Sequence, residues 1–463
     1  MTRERLYLFD TTLRDGAQTQ GVDFSVEDKR QIAQVLDDFG IDYVEGGWPG
    51  ANPTDTSFFA TPPRLKHARL VAFGMTKKPG RSTANDPGLA GVLDAKAQAC
   101  CLVGKSWDFH VDVALEVPRE DNLKAITESM AAVAAKGREP MFDAEHFFDG
   151  YKANAAYALA CLKAALDGGA RWVVLCDTNG GALPHEVARI VGEVAKVVPR
   201  DKIGIHTHND TENAVANTLA AILAGARQIQ GTLNGLGERC GNANLVSLIP
   251  TLMLKKDFAQ AFETGIAPAN LKTITHVSRL LDEILNRAPN RHAAYVGASA
   301  FAHKGGLHAS AVLKDPRTYE HVPPETVGNA RKIPVSDQAG RSNLIGRLVE
   351  LGLDVDSKDT RVAALLEQIK EREYLGYAYD GAEASLELLA RRALGKVPSY
   401  FRVEGFRVSV ERRHNAVGQE VTVSEAVVKV LADGERIMNV GEGNGPVNAL
   451  DNALRKDLGR YSK

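Results

Sequence analysis

Eight short apolar, strand-like runs alternate with amphipathic helical stretches over the first ~255 residues, and polar residues gather at the C-terminal end of one run after another. That alternation, over about 250 residues, predicts an α/β fold built as a (β/α)8, or TIM, barrel with its chemistry at the C-terminal strand ends. A doubly wound open sheet is the structural alternative, but it gives no reason for polar residues at so many strand ends. Beyond ~256 the alternation gives way to helical patterns, and from about 396 to period-two strands and a final helix. The expected divisions are a catalytic barrel over 1–260, helical subdomains over 261–395, and a βββα module over 396–463.

The predicted barrel strands are LYLFDTTL, DYVEGGW, RLVAFG, ACCLVG, EPMFDAEHFF, WVVLCDTNGG, KIGIHTHND and QIQGTLNGLG. SVEDKRQIAQVLDDFG reads as the helix after the first strand, with Ser25 as its N-cap and Gly40 at its C-terminal end. NLKAITESMAAVAAKG and HEVARIVGEVAKVV are two further helices. In the middle region, NLKTITHVSRLLDEILN and TRVAALLEQIKEREYLG have helical periodicity. AYVGASAFAHKGGLHASAVLKD between them is rich in Gly, Ala and His, a loop composition in which function concentrates. YFRVEGFRVSVERR, QEVTVSEAVVKVLAD and ERIMNVG then alternate as strands before the helix NALDNALRKDL.

The chain has 463 residues, 44% hydrophobic and 25% charged, with a net charge of −2. The near-neutral balance argues against nucleic acid as a partner. No stretch has the length and apolarity of a membrane span, and MTRERLYLFD lacks the apolar core of an export signal. Five scattered cysteines without CxxC spacing suit reduced thiols in a cytoplasm.

DTTLRDG at residues 10–16 and HTHND at 206–210 carry the clearest chemistry. Side chains alternate faces along a strand, so His206 and His208 point the same way. Asp15 at one strand end and two imidazoles at another make a divalent-metal constellation with coordination positions left open. The keto oxygen and carboxylate of a 2-oxo acid fill two such positions. Arg14, beside Asp15, would neutralise the oxyanion formed when a nucleophile adds; the alternative is a structural ion pair. Asn242, in GERCGN, offers an amide oxygen as a further ligand, and Glu145 is a general acid–base or an orienting group. His303 and His308 fall in the Gly-containing loop of the middle region. GLGERCGN is glycine-rich enough to approach a phosphate, a weak signal alone.

DTTLRDGAQ, HTHND, NGLGERCGNANL and FAHKGGLHASAV together resemble the metal-dependent TIM-barrel acyl-CoA carboligases. That group contains the 2-isopropylmalate, homocitrate and citramalate synthases, with 3-hydroxy-3-methylglutaryl-CoA lyase as a relative. The resemblance covers nearly the whole chain, and GGWPGANPTD, FDAEHFFDGY and LCDTNGG look most like the citramalate synthase branch. It implies a metal site of Asp15, His206, His208 and Asn242, filled by Mg, Mn or Zn. It implies that Arg14 steadies the keto oxygen, Thr178 holds the 2-oxo acid carboxylate, and Glu145 is essential. Glu45 and His110 are expected in the 2-oxo acid pocket. His308 resembles a histidine that reaches into the partner subunit's site of a homodimer and helps enolise acetyl-CoA, with Tyr319 close to it.

Two departures stand out. The isopropylmalate branch keeps a histidine on the fourth strand where this chain has Cys101, although the later loop histidine is matched by His110. Feedback-controlled members carry two βββα units, where 396–457 supplies one, half of a regulatory domain. Isoleucine or leucine is therefore expected scarcely to change the rate. The implied activity is condensation of acetyl-CoA with pyruvate to give citramalate. The alternatives are 2-isopropylmalate or homocitrate synthesis, a carbon–carbon lyase, and a non-catalytic sensor that the complete metal set disfavours.

Overall fold

The computed structural model describes residues 3–333, 340–353, 355–356, 358–379 and 381–458. The chain divides into two compact units. One runs to His303 and takes in His308–Lys332; the other is Lys304–Leu307 with the described residues from Ile333 on.

The first unit contains a closed barrel of eight parallel strands: β1 (Tyr7–Asp10), β2 (Tyr43–Gly47), β3 (Arg69–Met75), β4 (Ala99–Lys105), β5 (Glu139–Glu145), β6 (Trp172–Asp177), β7 (Ile203–Thr207) and β8 (Gln228–Gly231). β1 closes the barrel by pairing with β8, Tyr7 opposite Gln228 and Asp10 opposite Gly231. The inward faces bury Phe9, Tyr43, Cys101, Met141, Trp172 and Val174 as one cluster. A larger apolar shell packs the outward faces against the helices.

The helix after β1 spans Val26–Phe39. Ser25 and Asp28 form a capping box, and Gly40 ends it at φ 104°, both as the sequence predicts. Several strands are shorter than their apolar runs. β5 stops at Glu145 because His146 takes a left-handed φ of 54° and Phe147–Asp167 begins a helix. β8 stops at Gly231, and Leu233–Gly235 turns over as a single 3₁₀ turn.

One element has no sequence signal. Glu4–Arg5 pairs in parallel with Phe262–Glu263, outside the barrel. The helix Ile274–Ile284 buries Ile274, Val277 and Leu281 in the same core as the barrel. The helical region expected over 261–395 is therefore divided: residues through Lys332 pack with the barrel, and those from Ile333 belong to the second unit.

In the second unit, helices Arg341–Glu350, Thr360–Tyr374 and Glu383–Ala393 share a small core around Leu348, Leu365, Ile369 and Leu389. Three antiparallel strands follow, β9 (Arg402–His414), β10 (Glu420–Ala432) and β11 (Glu435–Gly443), and then the helix Pro446–Leu458. Ala426, Val428 and Val430 pack against Ala449 and Ala453 of that helix. This is the expected βββα module; its last residues, 459–463, lie outside the described residues.

Candidate metal centre and active site

The turn after β1 is held from below. Asp10 accepts from the backbone N–H and the hydroxyl of Thr12, both at 2.9 Å, and the Thr12 hydroxyl accepts from the N–H of Leu233 at 2.9 Å. The Asp15 N–H bonds back to the Thr11 carbonyl at 2.8 Å. Asp15 is thereby presented, nearly buried, at the barrel mouth.

His206 ends the inward face of β7, and His208 lies one residue past its end. Their Nε2 atoms stand 3.1 Å apart, and Asp15 Oδ2 is 3.4 Å from the first and 3.9 Å from the second. Two ligand atoms each about 2.1 Å from one ion, at right angles, stand about 3 Å apart, so this spacing fits a shared cation. Asn242 comes alongside through a backbone bridge to His208. Asp15 Oδ1 and Asn242 Oδ1 are buried without a hydrogen-bond partner. An unpartnered buried carboxylate oxygen with two converging imidazoles, and a buried amide oxygen on the segment bridged to His208, are donor types that suit a divalent metal. Burial pushes the Asp15 carboxyl up, but Arg14 and the two histidines outweigh it and hold it well below the usual carboxylate range. Burial and the neighbouring His206 push His208 down to about 3, so it is neutral and free to bind metal.

Arg14 donates from Nε to Glu45 Oε2 at 2.7 Å and lies 4.0 Å over the ring of Phe73. Burial, with Asp143 adding to it and Arg14 opposing, pushes Glu45 up to about 7. Glu45, Cys101 and Asp143 form a second buried cluster of donors. Burial drives the Cys101 thiol far up, and the Arg14 guanidinium already supplies positive charge there, so a hydrogen-bonded network suits it better than a cation.

A cavity of about 710 Å³ opens above the triad. Arg14, Asp15, Lys105, Asp143, Glu145, Thr178, His206 and His208 line its polar side, and Phe73, Met75 and Val103 its apolar side. Glu145 pairs with Lys105 at 2.5 Å. The Thr178 hydroxyl accepts from the His146 N–H at 2.9 Å.

The cavity thus gathers Arg14, Asp15, Glu145, Thr178, His206 and His208. It does not gather every residue singled out from the sequence. Glu45 is fully buried against Arg14 and does not line the cavity, because it sits two residues before the end of β2, whereas Trp48 just past that end does line it. His110 sits on the short helix after β4, its ring 4.9 Å from Trp107 and 4.4 Å from His146, and lines no part of the cavity. His308 and Tyr319 stack with ring centroids 4.2 Å apart, both exposed, and neither lines it. The glycines of GLGERCGN have a local cause: a Cβ on Gly237 would stand 2.2 Å from the Asn242 amide, and one on Gly241 2.0 Å from the Gly235 carbonyl. They let the chain fold tightly around Asn242 rather than approach a phosphate.

Sequence reading missed two buried groups, Lys29 and Gln230. Lys29 donates to the Leu13 carbonyl at 2.7 Å and the Gly46 carbonyl at 3.0 Å and pairs with Asp55, tying the first strand-end turn to the second. Gln230 holds His206 at 2.9 Å. The only available signals were a lysine on an otherwise apolar helix face and a polar residue at an inward strand position.

Residues 5–281 match the HMGL-like family, 295–374 the homocitrate synthase post-HMGL domain-like family, and 380–463 the LeuA allosteric (dimerisation) domain. The chain is 50% identical to the (R)-citramalate synthase of Aquifex aeolicus over 99% of this chain and 86% of that protein. It is 49% identical to that of Geobacter sulfurreducens over 98% and 85%. The 2-isopropylmalate synthase of Carboxydothermus hydrogenoformans is 30% identical over 98% and 86%. Among solved structures, the HMG-CoA lyase of Bacillus subtilis superposes with a TM-score of 0.53 at 18% identity, over 62% of this chain and 95% of that one, a likeness of fold.

Proposed function

The chain belongs to the HMGL-like family and its (R)-citramalate synthase branch, and we propose from this that it condenses acetyl-CoA with pyruvate, consuming water and giving (R)-citramalate and free CoA. It is an acyltransferase: the acetyl methyl carbon forms a bond to the keto carbon of pyruvate, and water cleaves the thioester. The observation that carries the reading to this chain's own residues is the converged triad, with the orphaned Asp15 oxygen, lining a cavity that Arg14 also lines.

Asp15, His206, His208 and Asn242 are the proposed ligands, and a bound Mg, Mn or Zn ion would polarise the keto group. Arg14, held in place by Glu45 and Phe73, points its charge at the oxygen on which negative charge develops. The Thr178 hydroxyl, fixed by the His146 N–H, orients the pyruvate carboxylate. Glu145 faces the cavity with Lys105 beside it, in reach of a proton at the reacting end. His308 and Tyr319, paired on the surface, suit a site completed across a homodimer, where His308 would take the methyl proton of acetyl-CoA. No helix among the described residues is long and apolar enough to cross a membrane. The free cysteines suit a cytoplasmic enzyme.

The test is thiol release from acetyl-CoA against a panel of 2-oxo acids, with identification of the product. Pyruvate is expected to give the highest kcat/KM. Leakage to 2-oxobutyrate is expected too, since one methylene changes discrimination by only ~1–3 kcal/mol. A preference for 2-oxoisovalerate or 2-oxoglutarate overturns the assignment.

A further inference from the structure

We propose that Gln230 is the positioning residue of the metal centre: backed by Asp143, its amide decides which nitrogen of His206 carries the proton and keeps Nε2 free for a divalent cation. This rests on reading Asp15, His206 and His208 as ligands.

The period-two register of β8 points Gln228 and Gln230 into the barrel, where both are fully buried. Two buried amides at inward positions are costly unless each polar atom is used. Gly204 on β7 makes room for them, since a Cβ there would stand 2.7 Å from Gln228 Oε1.

The Gln230 amide nitrogen lies 3.1 Å from Asp143 Oδ1 and 3.5 Å from Gln228 Oε1. Its oxygen lies 2.9 Å from His206 Nδ1. An amide can be turned end for end, but a carboxylate and an amide oxygen only accept. The NH2 end of Gln230 must therefore face Asp143 and Gln228, which leaves its oxygen for His206. His206 Nδ1 must donate to that oxygen. In the neutral ring the lone pair is then on Nε2, the atom facing Asp15 and His208. The arrangement is a carboxylate–amide–histidine chain, longer by one link than the carboxylate–histidine pairs common at metal sites.

Two substitutions separate positioning from packing. Gln230→Met keeps the shape and removes the acceptor. Gln230→Glu keeps an acceptor for Nδ1 but buries a second carboxyl beside Asp143. We measure Mn²⁺ affinity by competition with a fluorescent chelator, and thermal stability in parallel. Gln230→Met is expected to weaken Mn²⁺ binding by roughly 10–100-fold and to melt somewhat lower, because it strands His206 Nδ1 and Asp143 Oδ1. Gln230→Glu is expected to bind within a few-fold of the native chain while melting lower. A purely structural glutamine gives the opposite ranking, with the Glu variant worse in both measurements. Native-like Mn²⁺ affinity in Gln230→Met overturns the proposal, as does Gln230→Glu binding more weakly than Gln230→Met. If Gln230→Glu does not fold, the ¹⁵N-histidine spectrum of the Mg²⁺-loaded native chain decides: His206 as the Nδ1–H tautomer supports the proposal, Nε2–H overturns it. Asp15→Ala is the control for the ligands. If it binds Mn²⁺ as the native chain does, the ligand set itself fails and the proposal with it.

Discussion

Asp15 has one carboxylate oxygen committed to the histidines and another without any partner, so its removal strips the site rather than the fold. Asp15→Ala and His208→Ala are expected to abolish divalent-ion-dependent thiol release while leaving circular dichroism unchanged; turnover that survives in either variant after exhaustive chelation refutes the ligand assignment. Arg14 is held by geometry as much as by charge, through one bond to Glu45 and the face of Phe73. A lysine keeps the charge but not the planar guanidinium that bonds Glu45 while lying over Phe73. Arg14→Lys should lower kcat about 100-fold, the scale of losing one oxyanion donor, with a smaller change in KM for pyruvate. Steady-state kinetics on both substrates check this. The triad was legible because each ligand sits at the polar end of an apolar run and two of them share a strand face. Glu45 is expected in the substrate space as a polar residue at a strand end and His110 through the family resemblance, and neither signal carries the depth of a side chain. Only the closed barrel reveals that Glu45 is buried against Arg14 and that the short helix after β4 turns His110 toward His146. Gln230 was silent because its alternation reads like that of any inward strand position.

At the scale of elements, the helix Val26–Phe39 does more than cover the barrel. Its buried Asp37 accepts from the backbone N–H groups of Lys66, His67 and Ala68 at 2.8, 2.8 and 2.6 Å, pinning the chain just before β3. Burial raises the Asp37 carboxyl, but these three bonds outweigh it and leave it below its ordinary 3.8. The folded chain therefore binds fewer protons here than the unfolded chain. This stabilisation is present above about pH 3.8 and fades as the pH falls through the lowered folded value. Asp37→Ala should cost about 3 kcal/mol at neutral pH, since it strands buried donors that faced a charge. That difference should shrink in denaturant melts at acid pH; an unchanged gap at pH 3 contradicts the account. Ser25→Ala at the same helix's start should cost ~1 kcal/mol, with no comparable acid dependence. The caps of this helix were readable from local spacing. Its cross-links, Asp37 to the β3 approach and Lys29 to the turn before Arg14, were not, because they join segments distant in sequence.

Over the whole molecule, the barrel was legible because its repeat of strand and helix is local, whereas the division near Ile333 depends on which core each helix shares. If His308 serves the site of a second copy, mixing His308→Ala with Asp15→Ala protein should restore turnover. Each hybrid dimer then has one intact site, so a 1:1 mixture recovers about a quarter of native activity by random pairing. No recovery, with subunit exchange demonstrated, confines the histidine to its own chain. The closure of the barrel has a further consequence, one of time. β1 precedes the other seven barrel strands in the chain, yet one of its two neighbours is β8, whose pairing residues begin at Gln228. At ~5–20 residues per second, translation takes roughly 10–40 s to deliver that partner. Through that interval the nascent chain carries a strand edge with its hydrogen-bonding groups unmet, the condition in which nascent proteins are most in need of a chaperone.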